Sequence, residues 1–159
     1  MWRPQDLVES AVERKKSAER QARKEKDPFV KYDAVWCVFD VDEHPNLEEA
    51  LLQARDNKLN VALSNPCFEL WILLHFQDQR QHQERGWMQA ACRGHLPDFY
   101  KVADYERLRA NYAEAVKRAE QLLVWQKQQD RENGNPSTSV HRLTQAIVQL
   151  GKEQFLEGQ

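Results

Sequence analysis

Asp40 and Asp42 stand two residues apart, directly after the apolar run Ala34-Val35-Trp36-Cys37-Val38-Phe39. On an extended strand, residues i and i+2 share a face, with Cα atoms roughly 6–7 Å apart. Two carboxylates that close repel each other unless a cation lies between them. Hard oxygen donors in that number suit Mg²⁺ or Mn²⁺, which keep several waters and bind phosphate oxygens. In an open α/β sheet, ligands gather in the crevice beyond the strand C-termini. The spacing makes Asp40 and Asp42 candidate metal ligands and catalytic carboxylates. The plainer reading also stays open: Asp40 ends the strand, and Asp42 with Glu43 lies in a solvated loop.

Glu69, within Cys67-Phe68-Glu69-Leu70-Trp71, is the third carboxylate of interest. Burying it alone among apolar neighbours would cost several kcal/mol, on the order of the transfer penalty for an isolated charge. It either meets a basic residue in the core or turns to the crevice that Asp40 and Asp42 face. Ser64-Asn65-Pro66 and Asn135-Pro136-Ser137-Thr138 both read as helix openings rich in small polar side chains. Free N–H groups and hydroxyls at such ends can hold a phosphate, which makes Ser64, Asn65, Ser137 and Thr138 candidate phosphate contacts; simple capping is the other role they could fill. Arg14, Lys15 and Lys16 lie on a basic stretch that suits either a solvated helix or a nucleic-acid-contacting arm. His75 reads as a packed histidine and His141 as an exposed one, while Cys92 and His95 are too irregularly spaced for zinc. No P-loop, Gly-rich dinucleotide fingerprint or Ser-His-Asp order is present.

These residues need elements to place them. Residues 5–26 predict a polar helix with a thin stripe of Val8, Ala11, Val12, Ala18 and Ala22. The run 34–39 predicts a strand buried on both faces. Asn46 with Glu49 resembles a capping box opening a helix that Asn57-Lys58 closes, and Val61-Ala62-Leu63 predicts a second strand, so the unit is βαβ. Asn65 as N-cap and Pro66 in the first turn would open a buried helix through Phe76. Residues 77–97 lack clear periodicity. From Val102 to Gln129 one long helix is expected, with Tyr105, Leu108, Tyr112, Ala115, Ala119 and Leu122 as a seam. A last helix starts at Asn135-Pro136.

The whole chain has 159 residues, 41% of them hydrophobic and 30% charged, which suits one globular domain and excludes a collagen-like or disordered chain. Net charge is +3 over residues 1–32, −6 over 33–69 and +1 over 70–159, so an acidic centre follows a basic arm. Three cysteines and no apolar h-region argue against a disulfide scaffold and a signal peptide. A reduced cytoplasmic protein without a membrane span is expected.

Three blocks in this order resemble the RloB-like family: Tyr32 to Glu43, Ser64-Asn65-Pro66-Cys67-Phe68-Glu69-Leu70-Trp71-Ile72-Leu73-Leu74-His75-Phe76, and Asn135-Pro136-Ser137-Thr138-Ser139-Val140. The resemblance covers about residues 8 to 150. It implies a Toprim-like α/β fold: a parallel sheet with flanking helices and a long C-terminal helix pair, divided as a basic helix over 1–27 and the domain proper over 28–159. It further implies a Mg²⁺-dependent nuclease-like site in prokaryotic phage defence, with Asp40 and Asp42 as the Toprim Asp-x-Asp pair. An ABC-type ATPase partner is also implied, and homo-oligomerisation is a further expectation. Such families carry an earlier strand ending in Glu-Gly, whose glutamate is the general acid/base. No such strand precedes residue 32, so the first strand is expected to be missing and activity impaired. A non-catalytic module that uses the 102–129 seam to hold an ATPase or a second copy is the alternative.

Overall fold

The computed structural model describes residues 3–41, 46–98 and 104–157. Its backbone divides into two compact units, residues 1–38 with 43–62 and residues 39–42 with 63–159.

In the first unit, helix α1 (Pro4–Glu25) buries Val8, Val12 and Ala22 against its neighbours and ends on Lys26 in the left-handed region. It packs along α2 (Leu47–Asp56), which buries Ala50 and Ala54. Small residues on both helices allow the close approach, and Gln5 Nε2 donates to Gln53 Oε1 at 2.8 Å. The predicted capping box at Asn46 does not form. Asn46 adopts φ 74° and makes no side-chain cap, so Glu49 simply lies on the exposed first turn.

Strand β1 (Trp36–Asp40) and strand β2 (Asn60–Asn65) run in parallel, as the apolar runs predict. Asn60 N–H donates to Val35 O at 2.9 Å and Val41 N–H to Ser64 O at 2.8 Å, so both strands advance together. The sheet order is β1-β2-β3, with β3 (Ser137–Thr138) antiparallel to β2 in the register Ser64↔Thr138 and Asn65↔Ser137. Ser137 and Thr138 are therefore a strand and not the start of a helix, because β2 offers them backbone partners that a cap would forgo.

The second unit is built on α3 (Glu69–Leu73), only five residues long, whose every residue is buried. Asn65 does not cap it; its Nδ2 donates instead to Asn133 O at 2.7 Å. Helix α4 (Arg85–His95) occupies the stretch without evident periodicity and packs against α3 through Met88 and Cys92. The expected long helix is broken. α5 (Tyr105–Ala110) ends at Asn111, whose Nδ2 donates to Arg107 O at 3.0 Å, and α6 (Tyr112–Gln128) begins directly after. Ala115, Ala119 and Leu122 are buried on α6, while Tyr105 is 75% exposed, so the seam belongs to α6 alone. Helix α7 (Val140–Glu157) follows β3 and contacts α6. The turn from α6 to β3 is fixed by buried Gln126, whose Nε2 donates to Pro136 O at 2.7 Å while its backbone O accepts Arg131 N–H at 3.0 Å.

Gly134 sits in that turn. A Cβ there would lie 2.8 Å from Gln126 Oε1 and 2.9 Å from Arg131 O, whereas one on Gly94 in α4 meets nothing within 4 Å. Gly134→Ala should therefore lower the melting temperature. Gly94→Ala should raise stability by about 0.5–1 kcal/mol, the helical penalty of glycine. Denaturant unfolding of both variants checks the opposite signs.

Candidate functional site

The strand end and the first turn of α3 bring two of the predicted carboxylates together. Asp40 closes β1 with a side chain 24% exposed, and Arg85, the first residue of α4, donates from Nη2 to Asp40 Oδ2 at 2.8 Å. Burial pushes the Asp40 carboxyl above its ordinary value. The Arg85 guanidinium opposes that shift, the Glu69 charge adds to it, and the Phe68 backbone N–H lowers it slightly. Glu69 is 8% exposed, and its Oε1 accepts Gln89 Nε2 at 3.2 Å. Gln89 is a neutral amide, not the basic residue of the first reading, and the Glu69 charge acts on Asp40. Asp42, with Glu43 and His44, lies outside the described residues.

Two buried thiols line the same region. Cys67 and Cys92 are each pushed up to about 12 by burial and by the nearby Glu69 charge. Cys92 Sγ donates to Glu69 O at 3.2 Å, so it fixes the turn that carries Glu69. Neither is a thiolate at neutral pH, which removes cysteine nucleophilic chemistry from this face.

The hydroxyls expected to meet phosphate satisfy each other. Ser64 Oγ and Thr138 Oγ1 lie 2.9 Å apart, both buried, and Ser137 is 4% exposed. Ser139 Oγ accepts Leu63 N–H at 2.9 Å. These side chains tie β2 to the segment beginning at β3. In the first unit, Lys15 Nζ donates to the carbonyls of Asn57 and Lys58 at 2.9 and 3.0 Å and so closes the end of α2. Arg14 and Lys16 remain exposed on α1. His141, expected in solvent, is instead 2% exposed, with burial holding it below its usual pKa and Nδ1 lacking a partner among the described residues.

Arg85 and Gln89 escaped the sequence reading. The signal was present: Arg85, Met88, Gln89 and Cys92 stand at i, i+3, i+4 and i+7, one helical face. That face is half polar, which hides it from a search for apolar periodicity.

Because burial outweighs Arg85, Asp40 binds its proton more tightly folded than unfolded. Its contribution to stability is then greatest at low pH and falls as pH rises above the unfolded value of a carboxylate. Asp40→Asn removes that loss, so the melting temperature of the variant relative to the parent should climb between pH 4 and pH 7. A relative melting temperature that falls over this range would reverse the assigned shift.

No curated protein and no solved structure matches the chain. The model of the family described as RloB-like protein matches residues 2–147, nearly the whole sequence and all three of the blocks that carry the resemblance. The chain with this carboxylate–arginine cluster at its strand end belongs to the RloB-like family.

Proposed function

We propose that the Asp40 face is a nuclease-type site, at which a divalent cation and this chain's residues act on a phosphodiester of nucleic acid in phage defence. The observation that carries the reading is the pairing of Asp40 with Glu69 at the C-terminal end of a parallel strand, with Arg85 on the same carboxylate. Family membership and the Toprim resemblance support the same chemistry.

Mg²⁺ is commonly held by one or two carboxylates, with waters and substrate phosphate filling the remaining positions. Asp40 and Glu69 fit that donor set in kind and number, and Asp42 is the further ligand the sequence offers. Among the described residues no group of three or more His, Cys, Asp or Glu side chains is placed to hold a metal. A bound Mg²⁺ or Mn²⁺ supplies Lewis acidity to a phosphoryl oxygen and lowers the pKa of an attacking water. The protein's own part is positional. Arg85 holds the Asp40 carboxylate in one orientation and places a guanidinium charge on this face that suits an anionic phosphate oxygen. Partial burial keeps these charges from being screened as they would be in open solvent. Exposed Arg14 and Lys16 on α1 suit sequence-independent backbone contact.

The test uses purified chain in excess over labelled DNA and RNA strands, so that slow scission registers, with Mg²⁺ or Mn²⁺. Either ion should raise the melting temperature, and Asp40→Asn should remove that rise. Metal-dependent cleavage should fall about 100-fold or more in Asp40→Asn and in Glu69→Gln, within the range for losing a catalytic acid–base or metal-holding carboxylate. Scission unchanged in both variants, or absent from the parent, overturns the reading.

A further inference from the structure

A concavity opens against Phe68, Trp71 and Ile72 in and beside α3. It has a volume of about 870 Å³, and its walls include Phe68, Trp71, His75, Tyr105, Tyr112 and Thr144, with Arg109 among its lining residues. That size and the mixture of rings with a few polar atoms are those of a small-ligand site. We propose that this cleft receives a nucleobase of a single strand, an inference that rests on the nucleic-acid reading of the Asp40 face.

The walls are aromatic and incompletely covered. Trp71 and Tyr112 meet edge to face at 6.2 Å and 85°, which fixes both rings, while Tyr105 is 75% and Phe68 38% exposed. Such rings offer flat surfaces on which any base can stack. The polar atoms select what enters. His75 Nδ1 lies 2.9 Å from Trp71 O, a carbonyl that can only accept, so Nδ1 carries the proton and Nε2 is an acceptor. Burial holds His75 below its ordinary pKa, which favours the neutral ring. Tyr112 Oη donates to Thr144 Oγ1 at 3.0 Å, and Thr144 Oγ1 donates on to His141 O at 2.9 Å, so these hydroxyls have fixed directions. An aliphatic occupant would cover the imidazole acceptor without a donor, whereas a base brings N–H groups and a planar face together. Arg109 forms no ion pair among the described residues and supplies a charge complementary to the strand's phosphate. Phe68 connects the two places along the chain: it lines the cleft, while its backbone N–H and the next residue, Glu69, act on Asp40.

The experiment measures anisotropy of labelled single strands of about eight nucleotides, a length within the range of single-strand binding sites, in EDTA so that no cleavage contributes. The strand with bases should bind at least about tenfold tighter than the same strand made abasic, the order expected for one stacked base. Tyr105→Ala should remove most of that difference, and Tyr105→Phe should keep it. Equal binding of abasic and native strands, or no effect of Tyr105→Ala, overturns the proposal. So does competition by a free mononucleotide as strong as by the strand, or a change of oligomeric state in Tyr105→Ala that places a second copy in the cleft. Base-dependent binding without Asp40-dependent scission defeats only the nuclease reading. Scission with base-independent binding defeats only the cleft.

Discussion

Strand β2 must satisfy backbone groups on two sides at once, and the architecture follows from how it does so. On one side Asn60 N–H reaches Val35 O and Ser64 O receives Val41 N–H. On the other, Leu63 N–H goes to Ser139 Oγ and Ser139 N–H returns to Leu63 O at 2.9 Å. A buried backbone group left without such a partner costs about as much as a lost hydrogen bond. The reciprocal Leu63–Ser139 pair therefore pins the start of α7 beside the sheet across 76 residues of sequence. The Ser64–Thr138 hydroxyl contact adds a buried pair in the same register. With β2 held from both edges, the chain that leaves it at Asn65 turns directly into α3 and delivers Glu69 to Asp40.

That delivery creates an electrostatic conflict that α4 resolves. The Glu69 charge raises the proton affinity of Asp40 in a half-buried space, and Arg85 answers with one positive charge placed on Asp40. Desolvation still wins, so the cluster is maintained against a stability cost by the packing of α3 on α4. Groups held this way are common where chemistry requires them, because a purely structural surface would select a neutral residue. Gln89 and the Cys92 thiol support Glu69 through neutral donors.

The parallel βα unit was legible because its apolar runs and its closing Asn57-Lys58 are local signals; the strand forms where expected, but with Val38 39% exposed it is not buried on both faces. Three features were not legible. Asn65 and Ser137–Thr138 have the chemistry of caps, but each is drawn into or beside the sheet by partners distant in sequence, which no local pattern reports. The 102–129 seam has helical spacing throughout, and nothing in that spacing marks Asn111, whose side chain takes a carbonyl of the preceding turn and breaks the helix. His141 was expected in solvent as the default for a histidine at a helix start, yet the imidazole is buried. At the site, Asp40 and Glu69 were visible as carboxylates in apolar contexts. Arg85 was missed because the helical face it shares with Met88, Gln89 and Cys92 is half polar, and its link to Asp40 forms only when α4 brings it across.

Lys15 changes what the basic helix α1 can contribute to a polyanion. Its ammonium is committed to two carbonyls at the end of α2, where it neutralises the negative end of that helix. Of the three adjacent cations Arg14, Lys15 and Lys16, two remain to displace counterions from a nucleic-acid backbone. Each phosphate neutralised contributes about 0.9 to the logarithmic salt slope on duplex DNA. On the proposed nucleic-acid reading this triplet would contribute a slope of about 1.8, and a lysine counted from the sequence as a contact acts instead as a clasp between two helices.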